Sequence, residues 1–273
     1  MILDNRIIFF TGVALAADET NDRPDTSDSA ADAGPVFYLR DVKKVWPGDT
    51  DFILTVPELV VRPSEKIAVV GFSGCGKSTL LDLLALVLRP DEAGRFLFAA
   101  APNRPLDINR CWKENDQNRL AAGRMRRIGY VLQTGGLLPF LSVEENIGLS
   151  RRALGLADEG RVADLAERLG IGRHLKKLPS QISVGERQRV AIARAMAHEP
   201  AVVMADEPTA SLDPINAEKI MRLFTGLAEE NRVTLIVATH EWDRVRELGF
   251  RKIRFDLDGA GAGTAVQSRV LGT

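Results

Sequence analysis

The sequence predicts an α/β fold with an open, mostly parallel sheet, and three observations carry that expectation. Four short runs, "KIAVVG" (66–71), "RIGYVLQ" (127–133), "AVVMAD" (201–206) and "VTLIVATH" (233–240), are nearly continuous in apolar residues and rich in Val and Ile. Strands buried on both faces of a parallel sheet read this way. Helical stretches separate each run from the next. The first run stops at a sharp Gly-rich segment, and a helix follows it.

Upstream of these runs, "VFYLRDVKKVW" (36–46) and "DFILTVPELVV" (51–61) alternate apolar and polar residues, which predicts a small antiparallel β subdomain. The helix after the Gly-rich segment is expected over 77–88, apolar nearly all round and stopped by Arg89-Pro90. Residues 134–194 hold no comparable strand and read as an inserted helical subdomain, with an amphipathic helix near 160–169. No internal repeat is found.

At 273 residues the chain is long enough for a substantial core. Its 36 Lys and Arg balance 37 Asp and Glu, for a net charge of −1 with the basic residues scattered. That excludes a broad electrostatic face for nucleic acid. The two cysteines, Cys75 and Cys111, cannot form a disulfide framework, and the chain is read as belonging to a reducing cytoplasm. No apolar run approaches the roughly 20 residues of a membrane-spanning helix.

Residues 6–19, "RIIFFTGVALAADE", have the short apolar run and small residues of a secretory signal, but Asp4 offsets Arg6 ahead of it. Residues 18–35 carry six acids against the single Arg23, with almost no apolar content. Together, 1–35 read as a disordered or mis-started extension without an export role, and 36–273 as one domain.

The chemistry-bearing residues begin with "GFSGCGKST" (71–79), which fits G-x-x-x-x-G-K-[ST] and sits between a buried strand and a helix. In such a loop Gly71, Ser73, Gly74, Cys75 and Gly76 present a cradle of backbone N–H donors. Lys77 reaches phosphates, and Ser78 and Thr79 open the helix, with the Ser78 hydroxyl offered to Mg²⁺. Without that context the pattern would be a Gly-rich turn with an incidental lysine. The fold expected is therefore a phosphate-loop (P-loop) nucleoside triphosphatase core.

Asp206 ends an apolar strand, where open α/β sheets place their ligands, and is placed to hold Mg²⁺. Glu207 beside it would polarise a water for in-line attack on a γ-phosphorus. The bland alternative for two acids here is a plain helix N-terminus. Gln133 and His240 also end strands, where an amide and an imidazole could contact metal or γ-phosphate, although either residue alone is usually inert. His174 and His198 are read as inert.

"SQISVGERQRVAIARA" (180–195) opens a further helix on a Ser-Val-Gly turn, a second start with free N–H groups and a positive dipole end. Taken in order, the phosphate loop, Gln133, "SVGE", Asp206-Glu207 and His240 resemble the nucleotide-binding subunit of an ATP-binding cassette (ABC) transporter. The resemblance covers about 36–270.

By that resemblance "ISVGE" is the ABC signature, standing where the family usually has Leu-Ser-Gly-Gly-Gln. Ser183, Gly185 and Glu186 would then face ATP held by the phosphate loop of a second cassette, packed head to tail. Val184 replaces a Gly and so restricts positive φ there, and Ile182 replaces Leu. Asp213 in "ASLD" resembles the D-loop acid that crosses to the partner. Trp46 is placed like the aromatic that stacks on adenine, its alternative being a core residue of the small sheet. Gln133, with Ser78 and Asp206, falls in the family's Mg²⁺ set, and Cys75 is expected to be packed rather than redox-active.

The resemblance implies an Mg²⁺-dependent ATPase that drives a separate transmembrane permease from the cytoplasmic face of the inner membrane. The second ABC subunit would be an identical copy. "LLPFLSVEENI" (137–147) is similar to cassettes of the lipoprotein-release, macrolide-efflux and cell-division type. Soluble ABC ATPases of repair, chromosome organisation or translation form the alternative class. They usually carry paired cassettes, coiled coils or zinc modules, which this sequence does not show. A small-molecule kinase would not need the signature, Gln133 and His240 together.

Overall fold

The computed structural model describes residues 34–48, 51–99, 105–258 and 265–272, so most of the expected extension, 1–35, lies outside the described residues. Among the described residues ten strands form one sheet: β1 (Phe37–Trp46), β2 (Phe52–Val61), β3 (Lys66–Val70), β4 (Glu92–Phe98), β5 (Leu106–Asp107), β6 (Ile128–Val131), β7 (Val202–Asp206), β8 (Thr234–Thr239), β9 (Arg251–Asp258) and β10 (Val266–Gly272). Their spatial order is β5-β4-β1-β2-β10-β9-β3-β8-β7-β6. From β9 to β6 every pairing is parallel, and from β5 to β2 every pairing is antiparallel.

The parallel half is buried on both faces, and its period of two shows how. In β3, Ala68 faces one core while Ile67 and Val69 face the other. β7 divides the same way, Val203 and Ala205 against Val202 and Met204, and so does β8, Leu235 and Val237 against Ile236 and Ala238. The interior residues of such a strand are apolar because each finds a core, which is why these runs stand out in sequence.

One core is closed by α1 (Lys77–Leu84), the other by α7 (Val184–Met196) and α8 (Pro214–Glu230). The inserted segment is helical as expected: α4 (Val143–Ile147), α5 (Leu149–Ala153) and α6 (Arg161–Arg168) precede α7. The amphipathic helix expected near 160–169 is α6, which buries Val162, Leu165 and Ala166.

The antiparallel β subdomain is continuous with the parallel half, because β10 pairs parallel with β2 and antiparallel with β9 and so joins the two. One expectation needs correction. Helix α1 stops at Leu84 rather than 88. Leu86 takes φ 59°, and the amides of Val87 and Leu88 turn back to the Asp82 carbonyl, so the backbone leaves the helix before the proline. The segment between β4 and β6 holds two helices that hydrophobic periodicity does not reveal, α2 (Ile108–Lys113) and α3 (Gln117–Arg127), the latter burying only Leu120. A short α9 (Trp242–Arg246) follows β8.

Candidate nucleotide-binding site

Strands β3, β8 and β7 are neighbours in register, with Val70 opposite Thr239 and Asp206 opposite Ala238. Their carboxyl ends therefore bring the phosphate loop, His240 and the Asp206-Glu207 pair to one edge of the sheet. Gln133 is exposed two residues beyond the end of the adjoining strand, β6.

Loop 71–76 is shaped by glycine where it must be. Gly74 and Gly76 take φ of 80° and 100°, a region that costs other residues strain. A Cβ on Gly71 would lie 2.4 Å from the Cys75 sulfur. Cys75 is buried, and burial pushes its thiol pKa up, so it packs the loop rather than serving as a reactive thiolate. Gly76 caps α1 in the left-handed conformation with no side-chain hydrogen bond, and the first turn carries no acid. The amides of Lys77, Ser78 and Thr79 consequently have no intrahelical acceptor, which makes an anion site at the dipole's positive end. Ser73 and Gly74 are exposed beside it.

Lys77 is almost fully buried, and its ammonium donates to the Gly71 carbonyl at 2.9 Å and the Phe72 carbonyl at 3.1 Å. The same Nζ lies 3.6 Å from Glu207 Oε1. The Glu207 backbone takes φ 45° and its amide donates to the Ala238 carbonyl. This left-handed turn directs the carboxylate out of the strand line, so that Oε1 stands 3.6 Å from His240 Nδ1 as well. Strained backbone of this kind is concentrated at functional sites.

The Ser78 hydroxyl donates to Asp206 Oδ2 at 2.7 Å, and Asp206 is buried. A hydroxyl and a carboxylate converging in this way are hard oxygen donors. They suit a small divalent cation that takes its other ligands from water and phosphate oxygens. Among the described residues no cluster of three or more His, Cys, Asp or Glu side chains could hold a metal by itself. Trp46, at the end of β1, is 46% exposed, so it is not the core residue of the alternative reading. The Lys44 ammonium lies 5.4 Å from its ring centroid.

The remaining sequence-selected residues gather in a second place. Ser183, Gly185, Glu186 and Asp213 line a cleft of about 480 Å³ together with Arg173 and Leu212, and no phosphate-loop residue lines it. Ser183 caps α7 through a reciprocal capping box. Its amide and hydroxyl donate to Glu186 Oε2 at 2.8 and 2.9 Å, and its oxygen accepts from the Glu186 amide at 3.3 Å.

The bonds from Ser183, its amide first, hold the Glu186 carboxyl down to about 2. The amides of Val184 and Gly185 are left without intrahelical acceptors. Val184 is the first residue of α7 and is not among the residues with positive φ, so its replacement of Gly costs nothing in backbone conformation. Asp213 caps α8, and the Asn216 side chain and amide lower its pKa.

Two supporting residues escaped sequence reasoning. Ser268, buried in β10, donates to the Cys75 carbonyl at 2.6 Å and so pins the phosphate loop from across the sheet. At the other end of α7, Arg194 donates to the Gly135 and Gly136 carbonyls at 2.8 and 2.7 Å, just past Gln133. Burial lowers its pKa to about 10. No local pattern marks either contact, because each partner lies far off in sequence.

A strand–loop–helix that cradles phosphate, an acidic pair on the neighbouring strand and a second, separate helix start define a nucleoside triphosphatase of the cassette class. The family model described as ABC transporter matches residues 54–210, more than half of the chain. The chain belongs to the ABC transporter family and is an ATP-binding, ATP-hydrolysing subunit of that family.

Among its relatives, the lipoprotein-releasing system ATP-binding protein LolD 2 of Chlorobaculum tepidum is 40% identical, over 69% of this chain and 75% of that one. The macrolide export ATP-binding/permease protein MacB of Syntrophobacter fumaroxidans is 38% identical over 76% of this chain. The match spans only 28% of MacB's length. Among solved structures, a dimeric ATP-binding cassette in a post-hydrolysis state with ADP and Pi superposes with a TM-score of 0.69 at 31% identity, covering 80% of this chain and 93% of that one.

Proposed function

We propose that this chain hydrolyses ATP between two copies of itself packed head to tail, and that closing and opening of this pair drives a separate membrane permease. The observation that carries the reading is the division of the site. One helix start, at Gly76, adjoins Lys77, Asp206, Glu207 and His240, while a second, at Ser183, lies in a cleft of its own. A nucleotide enclosed on both sides needs one start from each copy.

In this reading the amides of 73–79 and Lys77 bind the phosphates and Trp46 stacks on adenine. Glu207 orients and polarises the attacking water, and His240 contacts the γ-phosphate. The signature residues Ser183, Gly185 and Glu186, with Asp213, act on the nucleotide of the opposite copy. Ser78, Asp206 and Gln133 would hold Mg²⁺, which would offset the developing charge on the phosphate oxygens.

No described helix is long and apolar enough to cross a membrane, and the relatives named above are transport proteins. They support a permease partner on the cytoplasmic face of the inner membrane, with export or lipoprotein release as the class of task. A largely apolar cleft of about 240 Å³, lined in part by Tyr130, Leu132, Gly136, Leu138 and Leu149, lies beside the loop after Gln133 and is the docking place this reading requires. The comparisons give no support to a soluble, non-transport role.

The Glu207→Gln variant tests the chemistry. It is expected to bind ATP, accumulate closed dimers and lose turnover roughly a hundredfold or more. Wild-type turnover in that variant removes Glu207 from the role. Co-purification from membranes, with identification of the integral protein that accompanies the chain, tests the partner.

A further inference from the structure

We infer that His174 is a positioning residue for the signature half-site: through Glu186 it holds the turn at Ser183 in the shape that receives the opposite copy's nucleotide. The inference rests on the head-to-tail reading above and adds to it a residue outside the motif. His174 ends the first of two 3₁₀ turns between α6 and α7, Gly172–His174, and its side chain is 8% exposed. Its Nε2 lies 2.8 Å from Glu186 Oε1. The other oxygen of the same carboxylate, Oε2, accepts both bonds from Ser183. Glu186 thus spans from a buried imidazole to the cap of α7, one oxygen on each.

The proton must sit on Nε2, because an imidazole nitrogen 2.8 Å from a carboxylate oxygen is bound to it only as a donor. Arg173 Nε also lies 3.0 Å from that nitrogen, and a nitrogen that donates to Glu186 cannot accept there as well. The Arg173 side chain is 79% exposed, whereas that of Glu186 is 22% exposed, so the arginine is the partner that gives way to solvent.

An incoming phosphate meets the free amides of Val184 and Gly185 with a carboxylate close by. A donor on the far oxygen of Glu186 keeps that negative charge drawn back against the 3₁₀ turn. Without it the carboxylate keeps its bonds from Ser183 and the exposed Arg173 guanidinium, whose Nη2 lies 3.7 Å from Oε1, but loses the buried donor that fixes its position, so it tilts toward the cleft, strains the Ser183 cap and repels phosphate.

The test uses the full chain carrying Glu207→Gln, in which ATP-dependent dimerisation is read at equilibrium by sedimentation, with nucleotide affinity measured separately on the monomer. Adding His174→Leu is expected to weaken dimerisation about tenfold, the size of a lost hydrogen bond to a charged group, with monomer affinity unchanged. His174→Gln, whose amide reaches the place of Nε2, is expected to restore most of it, and the shorter His174→Asn is not. Ser183→Arg serves as the control on the head-to-tail reading.

If Ser183→Arg blocks dimerisation while His174→Leu dimerises like its parent, the positioning role is overturned and the half-site reading stands. If Ser183→Arg dimerises normally, both fall. Should His174→Leu fail to fold, the Gln and Asn variants decide, and equal dimerisation by the two overturns the inference.

Discussion

The two helix starts that the proposed function assigns to one nucleotide are built in opposite ways. Helix α1 begins at a left-handed glycine, with no side-chain cap and no acid in its first turn, so its dipole and free amides are available to an outside anion. Helix α7 begins at a serine that Glu186 already engages, with the acid placed in the first turn where it offsets the same dipole. The first start can bind phosphate alone. The second is partly satisfied by its own chain and gains only when a nucleotide already held elsewhere is brought to it. On the head-to-tail reading that difference implies an order of events, with nucleotide binding first and closure second.

Four experiments break or sharpen this contrast, taken from the largest expected effect downward. Ser183→Arg fills the cleft of the α7 start with a long cation; ATPase activity is expected to fall to background while monomer binding of ATP is unchanged, measured by turnover and by nucleotide titration. Hydrolysis at the normal rate in that variant would show that the α7 start is not used. Lys77→Ala acts at the other start and is expected to weaken monomer nucleotide binding roughly 10- to 100-fold, from the loss of a charge-assisted contact. If both variants lower monomer binding equally, the division of labour is wrong.

The third experiment is a pH series. Glu186 ionises at about 2 in the fold against an ordinary 4.5, so its contribution to stability is complete above 4.5 and is lost as pH falls from there toward 2. Denaturation midpoints of the wild-type chain are expected to fall across that window, and Glu186→Gln to fall less; parallel curves would show that the cap does not hold the acid. The smallest effect is expected from Ser268→Ala, which leaves the Cys75 carbonyl without its donor and costs about 1–2 kcal/mol, seen as a few-fold loss of nucleotide affinity. An unchanged affinity would mean the loop keeps its shape without β10.

How much of this was legible in sequence depends on how local each determinant is. The runs around 68, 204 and 236 declare themselves because both faces of each strand are buried, and the phosphate loop because its glycines and lysine occupy one short window. Helix α3 hid because only Leu120 of its eleven residues is buried, so it shows no apolar stripe. The early end of α1 hid because a leucine in left-handed conformation, Leu86, carries no composition signal. At the candidate site, Asp206, Glu207 and His240 could be named from strand ends, since neighbouring parallel strands bring their ends together, and Lys77 from the Gly-rich motif that opens α1. The contacts of Ser268, Arg194 and His174 could not, being side-chain pairings between segments that only the finished packing places side by side.

Strand β10 carries a consequence for how the molecule is made. Among the described strands it alone is hydrogen-bonded to both β2 and β9, and in register Val266 meets Phe52. Ribosomes deliver it after the other nine described strands, so the antiparallel flank and the parallel half must each wait, edges open, until it slots between them. Pairing across so long a stretch of chain is slow and exposes unpaired edges meanwhile. During that interval the open edges of β2 and β9 are where a misplaced strand can add.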